Sequence, residues 1–192
     1  MTAATLAPPA VHTAQDLERL SAEGYHYELV RGELRLMSPS GGPHGSATSR
    51  LSFYVNGLVY GDELGETFAA ETGFFVERDP DTILAPDFAF VAHDRLPDPL
   101  PQSYVPVVPD FAVETRSPSD TTREVAEKVE EWLAAGVRLV WVVEPKKRTI
   151  TTHRLGRDAR TFTVGETLDG EDVLPGLAVP LDRIFPPRRN PG

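Results

Sequence analysis

Two short apolar segments, each carrying acid, constrain this chain more than anything else in it. The first is Ala85-Pro86-Asp87-Phe88-Ala89-Phe90-Val91 and the second is Pro109-Asp110-Phe111-Ala112-Val113-Glu114-Thr115. Near-continuous apolar runs rich in Phe and Val predict strands buried on both faces. Side chains alternate along a strand, so Phe111 and Val113 take one face while Ala112 and Glu114 take the other. A carboxylate in such a place is costly unless it is paired or holds a cation. The chain must therefore build a sheet that accommodates acids at or inside its core.

The residues after the second strand predict its exit. Ser117-Pro118-Ser119-Asp120 ends the strand, since Pro118 keeps Ser117 extended. A helix is expected over residues 121–135, opened by a Thr121/Glu124 capping box and closed by Gly136. Val125, Val129, Trp132 and Leu133 form its buried stripe. Lys128 lies three residues after Val125 and four before Trp132, on the flank of that stripe. Of 19 Lys plus Arg, only Lys128, Lys146 and Lys147 are lysine. Lysine is a compact, tunable charge where arginine is a fixed fork, so its use at 128 suggests a need for an amine. The competing role is a helical ion pair with Glu124, four residues earlier.

Elsewhere the pattern is that of an α/β (α+β) domain. Residues 25–37 alternate apolar and polar around Arg31-Gly32, which reads as an N-terminal β-hairpin. A helix is expected from about His44 to Val59, with Leu51, Val55, Leu58 and Val59 on one face. Strands are expected at 66–70, 72–77, 87–92, 111–115, 139–144 and 148–155, with an edge strand at 161–164. The proline-rich stretch 94–109 reads as a loop within one sheet. Residues 174–185 read only as scattered apolar anchors. These features predict a single domain over 13–185, with flexible tails at 1–12 and 186–192.

Composition narrows the function classes. The chain has 192 residues, no cysteine and a formal charge of −10. Disulfides and thiolate metal sites are excluded, so any metal must use oxygen or imidazole ligands. The acidic balance argues against a passive module that holds nucleic acid by phosphate contacts alone. No apolar run reaches the roughly 18–20 residues of a membrane span, and the N-terminal residues lack the pattern of a signal peptide. A cytoplasmic protein with no membrane partner is expected.

The acids then suggest a chemistry. Mg²⁺ and Mn²⁺ take oxygen ligands, typically one or two carboxylates together with substrate phosphate. Asp87 and Glu114 are candidate metal ligands, with the Thr115 backbone carbonyl as a third. Lys128 is a candidate to orient the attacking water or offset charge on a phosphate. Simpler roles exist for each acid: Asp87 as a loop cap, Glu114 as an ion-pair partner of an arginine. Two carboxylates and a lysine also do not encode the leaving group, so another phosphate ester remains an alternative substrate.

A series of motifs carries a family resemblance. It comprises Tyr27-Glu28-Leu29-Val30-Arg31-Gly32-Glu33-Leu34, Met37-Ser38-Pro39, His44-Gly45, Pro86-Asp87-Phe88-Ala89-Phe90-Val91, Pro109-Asp110-Phe111-Ala112-Val113-Glu114, Ser117-Pro118-Ser119-Asp120, Gly136-Val137 and Trp141-Val142-Val143-Glu144-Pro145. In this order, over about residues 25–185, they resemble the Uma2 family (DUF820) of restriction-endonuclease-like proteins. The resemblance implies the fold of the PD-(D/E)xK nuclease superfamily, a mixed β-sheet flanked by helices, with a Mg²⁺-type cofactor. It implies Asp87 as the superfamily's aspartate and Glu114 as its acidic partner. Where the superfamily usually has lysine, two residues after the acid, this chain has Arg116. Family members commonly carry the lysine displaced to the next helix, and Lys128 matches it. Arg116 is the rival, weakened because a guanidinium is a poor proton acceptor. Glu28 and His44 match recurring family positions, Glu28 as another oxygen near the metal and His44 as a contact to phosphate or the site.

The combined expectation is a Mg²⁺- or Mn²⁺-dependent endonuclease acting on DNA, with Asp87, Glu114 and Lys128 as its catalytic residues. The alternative is a catalytically silent nuclease-fold module that binds protein or nucleic acid. A homodimer would suit double-strand cleavage, with residues 105–108 and Phe185 as expected contacts.

Overall fold

The structure is a computed structural model that describes residues 12–187. The predicted tails fall mainly on 1–11 and 188–192, outside the described residues. In chain order the elements are α1 (Ala14–Ala22), β1 (Tyr27–Val30), β2 (Glu33–Leu36), α2 (Gly42–Gly61), β3 (Gly65–Ala69), β4 (Phe74–Glu77), β5 (Thr82–Leu84) and β6 (Phe88–Ala92). A 3₁₀ turn, His93–Arg95, follows. Then come β7 (Phe111–Thr115), α3 (Thr122–Ala135), β8 (Leu139–Glu144), β9 (Thr149–His153), β10 (Arg160–Thr163), β11 (Thr167–Gly170), β12 (Leu174–Pro180) and α4 (Leu181–Ile184).

The two acid-bearing segments become the centre of a six-stranded sheet ordered β10-β9-β8-β7-β6-β3. Only β7 and β8 run parallel, and α3 supplies the crossover that parallel neighbours require. The sheet is mixed and flanked by helices, as expected. Alternation sorts its two faces. Phe88, Phe90, Phe111, Val113 and Trp141 pack with Ala47, Leu51, Val55 and Val59 of α2. Ala89, Ala112, Val140 and Val142 pack with Val129 and Trp132 of α3. Glu114 lies in phase with Ala112, so it faces α3.

A second, four-stranded sheet of order β2-β1-β5-β4 forms a wall beside the first. Its β1–β2 hairpin turns on Arg31 and Gly32, both at positive φ (49° and 78°), the geometry of a tight two-residue turn. α1 opens with a Thr13/Asp16 capping box and buries Leu17 against Leu29 and Ile83. Among the described residues, no helix is long and apolar enough to cross a membrane.

Three sequence expectations are corrected. Residues 174–185, read as scattered anchors, form β12 and α4, and β12 pairs with β11 in a hairpin. Val105 is not exposed: its N–H donates to Gly73 O at 2.9 Å, its carbonyl accepts from Phe75 N–H at 2.9 Å, and it is 4% exposed. Phe185 is 5% exposed, packed in the α2-side core. Neither supplies an open contact for a second subunit, because each is already covered by its own chain.

Candidate active site

The C-terminal end of β7 meets the residue preceding β6, and the site is built there. The β6–β7 register pairs Phe88 with Val113. Asp87 N–H accordingly donates to Val113 O at 3.0 Å. Its side chain turns back, and Oδ2 accepts the Thr115 N–H at 2.6 Å. The same Oδ2 lies 3.1 Å from His44 Nε2, while Oδ1 takes no hydrogen bond among the described residues. His44 sits in the first turn of α2. Thr48, one turn later, anchors that end of the helix: its hydroxyl donates to His44 O at 3.0 Å and lies 2.8 Å from the Thr115 hydroxyl. The N–H and C=O of a strand residue point to the same side, so the Thr115 carbonyl also faces the Asp87 side, where β6 has not yet begun.

On the α3 face, Lys128 is the hub. Its Nζ lies 3.0 Å from Glu114 Oε2 and 3.1 Å from Glu28 Oε1. Glu28 is 7% exposed, and its Oε1 also accepts the Ala85 N–H at 2.9 Å. Glu114 Oε1 accepts the Trp132 indole N–H at 2.7 Å. One turn separates Lys128 from Trp132, so one face of α3 delivers an ammonium and an indole N–H to the two oxygens of a single carboxylate. Lys128 is thus committed to the site rather than to Glu124, whose carboxylate closes the α3 capping box at Thr121 N–H, 2.7 Å away.

Arg116 goes elsewhere. Its guanidinium pairs with Glu144 at 2.6 Å and donates to Asp120 O at 3.0 Å and to the Thr122 hydroxyl at 3.2 Å. It fastens the β7–α3 loop to the end of β8. The structure brings together Asp87, Glu114, Thr115, Lys128, Glu28 and His44, and leaves Arg116 at the rim. Sequence reasoning missed Trp132, which it took for core filling. The available signal was its spacing of four from Lys128 with a polar N–H that burial obliges to find a partner.

The charges in this cluster do not balance. Burial, then repulsion from Asp87 and Glu28, outweighs the attraction of Lys128 and pushes the Glu114 carboxyl up to about 8. Burial alone would lower Lys128, but Glu114 and Glu28, with Asp87 behind them, hold it above the ordinary lysine value. The ammonium stays charged, and the excess of acid falls on Glu114. This has a consequence for stability. The folded protein keeps a proton on Glu114 that the unfolded chain releases above its ordinary value of 4.5. The stabilising contribution is complete below that value and is lost as pH rises toward about 8. Thermal unfolding in chelator from pH 5 to pH 8 should show a declining Tm, flattened in Glu114→Gln. Parallel profiles for the two proteins would refute the assignment.

Hard divalent cations fit this donor set. Asp87 Oδ1 takes no hydrogen bond among the described residues, the Thr115 carbonyl points to the Asp87 side, and the raised Glu114 carboxyl marks a surplus of buried acid that a cation would neutralise. Among the described residues, no group of three His, Asp or Glu side chains forms a ready cage. Any cation here would complete its shell with backbone, water or substrate oxygens. The site opens into a cleft of about 710 Å³ between the β1–β2 hairpin with residues 37–40 and α3.

The fold matches that of a solved protein. The crystal structure of a "putative nuclease belonging to DUF820" from Anabaena variabilis ATCC 29413 superimposes with a TM-score of 0.75, covering 90% of this chain and 97% of the other at 17% sequence identity. The architecture is therefore that of a DUF820 nuclease fold. The family described as "Putative restriction endonuclease", Uma2, matches residues 14–182, and this chain belongs to it. No curated protein matches the chain.

Proposed function

We propose that this chain is a Mg²⁺- or Mn²⁺-dependent endonuclease that hydrolyses DNA phosphodiesters, within one nuclease domain over 13–185. The reading is supported by the family, by the fold, and above all by one observation. Three carboxylates, Asp87, Glu114 and Glu28, crowd a single ammonium at the floor of an open cleft. A cation bound by Asp87, Glu114 and the Thr115 carbonyl would make a water more acidic and offset charge building on the phosphoryl oxygens. The chain's own groups prepare that step. His44 and the Thr115 N–H hold Asp87 through Oδ2, leaving Oδ1 for the cation. Trp132 fixes Glu114 through Oε1, leaving Oε2 between Lys128 and the cleft.

Lys128 is held charged, so it acts as a donor that orients the attacking water and stabilises the phosphoryl group rather than as a base. The water gives up one proton to solvent as its oxygen bonds to phosphorus, one P–O ester bond breaks, and the leaving oxygen takes up a proton from solvent. A silent binding module is the second reading. It is favoured by the Lys128 ammonium, which pairs at once with Glu28 and Glu114.

Calorimetric titration with Mn²⁺ separates the two. Saturable binding by the wild type that is lost in Glu114→Gln is expected, together with cleavage of an oligonucleotide panel. A wild type that binds no Mn²⁺, with or without oligonucleotide present, would leave the silent module.

A further inference from the structure

The cleft carries an unusual charge pattern for a site that must receive polyanions. Three arginine and lysine side chains line it: Arg35, Arg116 and Lys128. Each is already neutralised. Arg35 pairs with Glu131 at 2.7 Å, Arg116 with Glu144 at 2.6 Å, and Lys128 with Glu28 and Glu114. Three rim carboxylates, Glu71, Asp120 and Glu124, have no arginine or lysine partner among the described residues. Proteins that bind duplex DNA hold many phosphates with cations, about 6–10 in typical cases. A duplex laid here would set phosphates against carboxylates and would have to break existing ion pairs.

The cleft also has an apolar lip. Leu36, at the end of β2, is 69% exposed, and Met37 and Pro39 continue the lip along the cleft wall. Val125 contributes to the α3 wall. At about 710 Å³ the space is that of a small-ligand pocket, roughly 300–1,000 Å³. An unpaired strand exposes base faces that a duplex hides, so a short stretch can rest a base on apolar side chains and ask for fewer phosphate contacts than a full duplex footprint.

We propose that the cleft takes an unpaired nucleic-acid strand, one phosphodiester at the Asp87–Glu114 floor and the neighbouring base against Leu36, Met37 and Pro39, rather than an intact duplex. The inference rests on the nuclease reading above and narrows its substrate.

The test uses the full chain in Mn²⁺ with a labelled 20-nucleotide strand of non-self-pairing sequence and the same strand annealed to its complement. The single strand should be cut at least about tenfold faster than the duplex. The logarithm of kcat/KM against the logarithm of salt should have a slope of about −1 to −2, where a duplex grip of 6–10 phosphates gives roughly −5 to −9. Leu36→Ala, a change at an exposed position, should raise KM for the single strand several-fold with kcat within about twofold. Duplex cut as fast as single strand, a slope steeper than about −4, or an unchanged KM in Leu36→Ala would overturn the inference while leaving a nuclease. Cleavage of neither substrate would remove the nuclease reading itself, and this inference with it.

Discussion

Lys128→Met should do two things at once: cut the cleavage rate by roughly 10²–10⁴-fold and destabilise the protein by about 3–5 kcal/mol near pH 8. Methionine keeps the length of the side chain and removes its charge. The kinetic loss follows from the proposed donor role, since among the described residues the ammonium is the one cationic side chain held at Glu114. The stability loss has a separate cause. Glu28 and Glu114, both at most 8% exposed, would face each other without the ion that now lies about 3 Å from each. For a chain of this size the change corresponds to a Tm drop of about 6–20 °C. It should persist toward pH 5, because losing Lys128 raises the Glu114 carboxyl above its wild-type value of about 8, so the mutant's acid stays protonated across this range. Lys128→Met combined with Glu114→Gln should recover much of the stability and none of the activity. A single mutant with wild-type Tm at pH 8 would mean that the ammonium does not bind this cluster together. Lys128→Arg should rescue neither property fully, since a planar guanidinium cannot occupy the space of a compact ammonium between two carboxylates.

Local signals were legible where one rule decided the outcome. The limits of β7 and β8 and the start and stop of α3 followed from apolar runs, a capping box and a glycine, and the structure has them within a residue. The placement of Lys128 followed from helical phase. What was not legible depended on partners distant in sequence. β5 is three residues long and exists because β1 and β4 flank it. The β11–β12 hairpin contains Pro175 and Pro180, which blur a strand pattern. Val105 looked exposed in a run of prolines, yet a single bridge to Phe74 buries it. Arg116 lies just past the end of the strand that carries Glu114, and only the fold reveals that Glu144 and the Asp120 carbonyl claim it first. The Trp132 contact with Glu114 joins two residues 18 apart, and no local periodicity encodes such a pairing.

Asp110 offers the sharpest contrast with Glu114, because the two acids sit on one short stretch and do opposite work. Asp110→Ala is expected to cost about 2–4 kcal/mol of stability and to leave kcat nearly unchanged below the new Tm. Asp110 is 2% exposed. Its Oδ2 accepts the Ala92 N–H at 2.9 Å, and its Oδ1 pairs with Arg95 at 2.7 Å and approaches Arg138 at 3.7 Å. Its own carbonyl accepts the N–H groups of Arg138 and Leu139 at the entry to β8. The side chain therefore ties the end of β6 to the start of β7 and the α3–β8 turn. Both arginines are about 40% exposed (39% and 45%) and can return to water, so the cost comes mainly from an unsatisfied Ala92 N–H and a loosened turn. Four residues of strand, about 13 Å, separate Asp110 from Glu114, which is why catalysis should survive. Asp110→Asn keeps the volume and an acceptor and should cost about half as much. Urea denaturation of both variants beside single-turnover cleavage would check the division. A large fall in kcat in a folded Asp110→Asn protein would show that this end of β7 reaches the chemistry after all, and a neutral Asp110→Ala would show that the turn closes without it.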